Sequence, residues 1–174
     1  MRPLQRLFLM GPHTCPWWFG YTFDNPLRRL IHNPFAILSG DLVREGQTAV
    51  DIGCGLGYFS LALAQIVGAR GTVIALDLQS QMVQRARRRA ARWGVGERID
   101  FRVCAPDHLG VTVPVDFALA FWMVHEVADP RALLTEVRSS LRPSGHLLIV
   151  EPKIHVPSRR FEETVRLARA TGFD

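Results

Sequence analysis

The sequence predicts an α/β fold: a doubly wound, mainly parallel sheet with helices on both faces. Three observations predict it. From Thr48 onward short apolar runs alternate with longer stretches of helical character. Most of the runs are near-continuously apolar, as strands covered on both faces must be. The first run, TAVDI, passes through Gly53, Gly55 and Gly57 into the first long helix. Parallel neighbours need helical crossovers, so alternation of this kind implies the doubly wound sheet.

The elements can be justified in order. Residues 1–47 differ in texture, with Pro3, Pro12, Pro16, Pro26 and Pro34 and the aromatics Trp17, Trp18, Phe19, Tyr21 and Phe23. Asn25-Pro26 and Asn33-Pro34 each offer a cap followed by a proline at the first helical position, predicting short helices over 27–31 and 35–43. This section is expected to be a helical, aromatic arm, serving as a lid over a site or docking on the core. Strand one is expected over 49–52 and its helix over 58–67. Strand two covers 72–76 and ends at Asp77. Ser80 is expected to cap a helix over 81–93 that Gly94 terminates. Strand three spans 99–103, and a loop with two prolines leads to strand four over 117–122. Asp129-Pro130 starts a helix to about residue 141. Pro143-Ser144-Gly145 reads as a turn before strand five, 147–150. Ser158 begins a last helix, with Phe161, Val165 and Ala168 on one face, stopped by Gly172. The domain from 48 to 174 is therefore the ligand-binding unit.

Composition bounds the function. The chain has 174 residues, 48% hydrophobic and 21% charged, with a net charge of +5. These are the proportions of a water-soluble globular domain. No run approaches the length of a membrane span, and the apolar patch at 7–10 is too short for a signal peptide. Cys15, Cys54 and Cys104 have no paired spacing, which argues against a disulfide scaffold and makes a reducing cytoplasm the expected location. His13, Cys15, His125 and His155 do not have metal-ligand spacing, so no metal is expected. The arginine run at 85, 87, 88, 89 and 92 is expected on the helix face opposite Met82, Val83, Ala86, Ala90 and Trp93 and lacks interleaved stacking aromatics. It reads as a solvated face and argues against a nucleic-acid partner.

In open parallel sheets ligands bind beyond the carboxyl ends of the strands. Asp51, Asp77, the stretch 104–107, the stretch 121–126 and Glu151 all lie at such ends. The glycine turn is G-x-G-x-G. The dinucleotide fingerprint would need a glycine at 58, where the chain has Tyr58. Asp77, twenty residues after Gly57, is placed to accept two ribose hydroxyls. Asp51, just before the turn, suits a cationic amino-acid end better than a pyrophosphate. A ribose without phosphate and with positive charge points to S-adenosylmethionine rather than NAD.

VDIGCGLGYFS followed by VIALDLQ resembles the first two motifs of the class I S-adenosylmethionine-dependent methyltransferases. VDFALAFWMVHEVADP and LLTEVRSSLRPSGHLLIVEP extend the resemblance across 48–151, most closely to the small-molecule type related to ubiquinone/menaquinone and arsenite methyltransferases. The resemblance implies a Rossmann-like methyltransferase sheet and a cytoplasmic enzyme that uses S-adenosylmethionine, yields S-adenosylhomocysteine and takes a small-molecule acceptor. It implies that Asp51, Gly53, Gly55 and Gly57 line the methionine and ribose side, that Asp77 takes the ribose hydroxyls and that Leu78 packs on adenine. Phe121 would offer backbone to the methionine amino group. The family's Gly-Asp-Ala after strand three is here Cys104-Ala105-Pro106-Asp107. Ala105 replaces the usual Asp, so either Asp107 serves from two residues on or backbone alone contacts adenine. The family sheet has two more strands, the last antiparallel, and the chain stops at Asp174 where the sixth would begin. An absent edge pair would favour self-association.

Methyl transfer from a sulfonium mainly needs orientation, and a base only where the acceptor must lose a proton. His125 and Glu126 are the candidates for that base; His13, Tyr21 and His155 are further residues expected near the mouth. Cys15, Cys54 and Cys104 read as small buried residues rather than arsenic ligands. Two alternatives remain at this level: a nucleic-acid or protein methyltransferase, and a cofactor-binding subunit without activity of its own.

Overall fold

The computed structural model describes residues 32–38, 40, 42–154 and 156–174. The aromatics of the arm, the expected helix at 27–31, and His13, Cys15 and His155 lie outside the described residues.

Helix α1 is Pro34–Ile37. Asn33 caps it, its Oδ1 accepting from the Phe35 and Ala36 amides at 3.0 and 3.4 Å. The expected helix to 43 is cut short: Gly40 takes φ 85°, left-handed backbone that does not continue a helix. Leu38 and Val43, beyond the helix, are buried. Strand β1 is Thr48–Ile52, helix α2 Tyr58–Ile66, β2 Thr72–Asp77 and α3 Ser80–Arg92. Ser80 is the first residue of α3 and Gln79 holds the cap position, with no side-chain capping bond, which corrects the expected cap. Strand β3 is Ile99–Val103 and β4 is Val115–Phe121. β4 ends one residue before the expected Trp122 because Trp122 adopts φ 60°, outside extended geometry. Helix α4, Pro130–Ser140, is capped by Asp129, whose Oδ1 accepts from the Ala132 amide at 3.0 Å. Strand β5 is Leu141–Val150 and helix α5 is Ser158–Ala170.

β5 starts earlier than the turn at 143–145 suggests. Val115 pairs with Leu141 and Phe117 with His146, so five steps on β5 (146 − 141) face two on β4 (117 − 115). Residues 142–145 bulge out within a strand that keeps its pairing on both sides. Asp116 pins the bulge: its Oδ1 meets Arg142 Nε at 3.1 Å, and its Oδ2 accepts the Thr48 amide at 2.9 Å. A Cβ on Gly145 would lie 2.8 Å from Leu141 Cδ2 and 3.1 Å from the Arg142 and Asp116 carbonyl oxygens, so a side chain there would be crowded.

Among the described residues the five strands pair in parallel, in the order β3-β2-β1-β4-β5. The five-stranded parallel sheet flanked by helices matches the predicted fold class. Alternation along each strand divides the core. Ala49, Val73, Ala75, Phe101, Phe117 and Leu119 pack with α2 and α3 on one face. Val50, Ile52, Ile74, Leu76 and Ala118 pack with Val137 of α4 on the other. Leu109, in the β3–β4 connection, is buried in this second layer. Strand order reverses between β1 and β4, and the carboxyl ends there carry the glycine turn and residues 121–126. Among the described residues no helix is long and apolar enough to cross a membrane.

Candidate functional site

The site is built outward from the glycine turn. Gly53, Gly55 and Gly57 have φ of 71°, 54° and 77°, the left-handed region that favours glycine. Their surroundings differ. A Cβ on Gly53 would lie 3.0 Å from Met123 Cβ, and one on Gly57 would lie 3.1 Å from Ala86 Cβ. A Cβ on Gly55 would meet nothing within 4 Å, so at Gly55 the backbone faces open space. The Cys54 amide donates to Leu76 O at 2.8 Å and the Gly57 amide to Cys54 O at 2.9 Å, which closes the turn onto β2.

Asp77 ties this turn to β2. Its Oδ2 accepts the Gly55 amide at 2.8 Å and its Oδ1 accepts the Gln79 amide at 2.9 Å. A carboxylate has about four lone-pair directions, so two backbone bonds orient it and leave capacity for a ligand's hydroxyls. Asp77 is buried, and burial raises its pKa from the ordinary carboxylate value, against the two backbone bonds that lower it. The β2–β3 register places Asp77 opposite Val103. Beside this acid two apolar side chains are open to solvent, Leu78 at 40% and Val103 at 54% exposure. A buried acid next to an uncovered apolar pair suits a nucleoside, with ribose on the carboxylate and a flat base on the side chains. The residues present therefore fit the sulfonium nucleoside expected from the sequence.

The other expected cofactor residues are distributed unevenly. Asp51 is buried beneath the turn, and its Oδ2 accepts from Ser60 Oγ of α2 at 2.5 Å. Phe121 is buried, its ring 4.3 Å from Phe59 and 5.4 Å from Trp122. His32 meets both Phe121 and Trp122 edge-on, and its carbonyl accepts from Tyr58 Oη at 2.8 Å. An aromatic wall thus stands beside the switch point. Ala105 and Asp107 are exposed on the loop after β3, where the Ala105 and His108 backbones bond to each other at 3.2 and 3.4 Å.

His125 and Glu126 part company. Glu151, at the end of β5, accepts the His125 amide on Oε1 at 2.9 Å and meets His125 Nδ1 with Oε2 at 2.6 Å. The Glu151 side chain is only 4% exposed. Arg160 of α5 donates from Nη2 to the His125 carbonyl at 2.8 Å. When the imidazole is neutral and Nδ1 donates to the carboxylate, Nε2 is left as the acceptor nitrogen. Glu126 lies 4.0 Å from that Nε2 and holds no such clamp on the ring. No sequence signal assigns a role to Ser60 or Val103, and Trp122, Met123 and Glu151 are marked only as strand-end positions. Glu151 had a usable signal, since it ends strand five as Asp77 ends strand two; its pairing with His125 needs β4 and β5 to be neighbours.

The thiols of Cys54 and Cys104 are both pushed up, chiefly by burial and then by the nearby carboxylates, and so stay protonated at neutral pH. In the arginine run, Arg87 donates to Phe101 O at 2.9 Å, and the run follows α3 along a face of the sheet.

Comparison with known proteins gives a concordant result. The family described as Methyltransferase domain matches residues 44–169. An uncharacterized 37.1 kDa protein in transposon TN4556 of Streptomyces fradiae is 36% identical over 116 residues, 63% of this chain and 31% of that protein. A ubiquinone biosynthesis O-methyltransferase of Xanthomonas euvesicatoria pv. vesicatoria is 31% identical over 135 residues, 76% of this chain and 54% of that protein. The chain thus spans about a third to a half of the length of these curated relatives. The crystal structure of a SAM-dependent methyltransferase from Aquifex aeolicus shares the fold, with a TM-score of 0.82 at 24% identity over 92% of this chain and 90% of that one.

Proposed function

The chain belongs to the class I S-adenosylmethionine-dependent methyltransferases, and from that premise we propose that it methylates a small-molecule acceptor, with His125 as the base that removes the acceptor's proton. The observation that carries the cofactor half is the Asp77 cradle, held by the Gly55 and Gln79 amides beside open space and the exposed Leu78 and Val103. The observation that supports the acceptor half is the clamp of Glu151 on His125. The relative named as a ubiquinone biosynthesis O-methyltransferase supports a small hydroxylated acceptor.

In this reading Asp77 holds the ribose hydroxyls, Leu78 and Val103 carry the base, and Gly53, Gly55, Gly57 and the Phe121 backbone line the amino-acid end, with Asp51 supporting the turn. When bound, S-adenosylmethionine supplies an already activated methyl group, so the protein's task is orientation in a water-poor site. His125 Nε2 takes the acceptor's proton as its oxygen becomes nucleophilic, and Glu151 stabilises the imidazolium that forms. Phe121, Trp122 and His32 wall the acceptor side.

Calorimetry with S-adenosylhomocysteine and NAD tests the cofactor half. S-adenosylhomocysteine is expected to bind in the micromolar range, about −8 kcal/mol, and NAD not measurably. NAD binding without S-adenosylhomocysteine binding would sink the reading. For the acceptor half, H125A is expected to lower kcat by about 10²–10⁴ on a turning-over acceptor with unchanged nucleoside affinity. Unchanged kcat would remove His125 as the base. Tight nucleoside binding with no turnover across a panel of hydroxylated acceptors would favour a subunit without activity of its own.

A further inference from the structure

We propose that Glu136 of α4, together with His108, is the clamp that positions the loop after β3 to read the base of the bound nucleoside; this rests on the cofactor reading above. The loop begins next to the acid. Asp77 pairs with Val103 across β2 and β3, and the Cys104 amide donates to Asp77 O at 3.1 Å. A base extending from a ribose on Asp77 over Leu78 and Val103 therefore lies along residues 104–110.

The loop has little regular structure of its own. Its internal backbone pairing is the Ala105–His108 bridge. What holds it comes from a different layer of the molecule. Glu136 accepts the Leu109 amide with both carboxylate oxygens at 2.9 Å and the Gly110 amide on Oε1 at 3.1 Å. The same Oε1 meets His108 Nδ1 at 2.8 Å. Arg102 Nη1 adds a bond to Gly110 O at 3.2 Å, and Leu109 is buried in the layer beneath. Three consecutive residues, His108 to Gly110, thus converge on one carboxylate. Carboxylate–amide bonds are among the stronger hydrogen bonds and are directional.

The side-chain chemistry of the loop explains why such a clamp matters. Asp107 is the one carboxylate between 104 and 110, and Ala105 brings no polar side chain. Recognition of the edge of a purine then falls on Asp107 or on backbone N–H and C=O groups, and both depend on where the loop is held. A backbone group discriminates an amino from a keto substituent only if it is held in place, because each is a fixed donor or acceptor. Glu136 sits 27 residues further along the chain, on the helix after β4, and meets this loop only through the fold.

The test is titration of the full chain and its variants with S-adenosylhomocysteine and with S-inosylhomocysteine, in which a keto group replaces the adenine amino group. The wild type is expected to prefer the adenine compound by about tenfold, one or two hydrogen bonds' worth. In E136Q that preference is expected to fall to about twofold or less, through weaker binding of the adenine compound. His108 is 67% exposed, so H108A is expected to fold normally and to show a smaller loss of the same preference. Wild-type preference in either variant would overturn the clamp, and so would equal weakening of both compounds, the signature of general destabilisation. If E136Q does not fold, H108A decides. If the wild type binds neither compound, the cofactor reading fails and the clamp with it; if the wild type binds and the variants discriminate normally, the clamp alone fails.

Discussion

At the scale of single residues, Asp77 sets a cost in stability against its proposed role. Its folded pKa is raised, chiefly by burial. For a carboxyl of this kind the destabilising contribution is absent below the unfolded pKa of about 3.9, grows as pH rises through the folded value and is then constant. D77N removes the titration, so its thermal stability relative to the wild type is expected to climb with pH across that window and level off above it. A difference independent of pH would show that Asp77 is not raised. On the proposed function the same variant loses the charged acceptor for the ribose and is expected to weaken S-adenosylhomocysteine about 10- to 100-fold at neutral pH. Other residues at the site were legible to different degrees. The glycines were visible because a strand-to-helix turn with three of them has few other uses. Glu151 was visible only as a strand end, because its partner is 26 residues away on a different strand connection.

At the scale of elements, sequence signals worked where local physics dominates. Asp129-Pro130 predicted the start of α4, and the Asp129 side chain does accept the Ala132 amide. D129A is expected to cost about 1 kcal/mol and to lower Tm by roughly 2–4 °C for a chain of this size. Thermal unfolding followed by circular dichroism checks this, and an unchanged Tm would show that the cap is not stabilising. The signals failed where tertiary partners intervene. Pro143-Ser144-Gly145 has the composition of a turn, yet it forms a bulge within β5, because Asp116 on the neighbouring strand holds Arg142. Trp122 has strong strand character but leaves β4 with φ 60°, its amide still donating to Val150 O at 2.8 Å. Ser80 has a capping side chain but lies inside α3, which starts one residue earlier than a Ser cap would allow.

At the scale of the whole molecule, stability resides in two apolar layers on either side of one sheet. Phe117, fully buried on the α2–α3 side, is among the largest side chains there. F117A is expected to cost about 3–5 kcal/mol, a large part of the roughly 5–15 kcal/mol typical of a domain, and to lower Tm by about 10 °C. Because Phe117 lies four residues before the end of β4, nucleoside affinity at low temperature is expected to change little. Calorimetric unfolding together with a cold titration separates the two effects, and loss of binding without loss of Tm would contradict this division. The sequence by itself determined the fold class, the order of strands and helices along the chain, and the glycine turn and acid at the carboxyl ends of the strands. These follow from apolar periodicity, glycine conformation and residue spacing, all of which are local. Only the tertiary structure decided which strand ends become neighbours. It brought Glu151 to His125 and Glu136 to the loop at 108–110, because the order β3-β2-β1-β4-β5 and the layering of α4 against the sheet join residues that no local pattern connects.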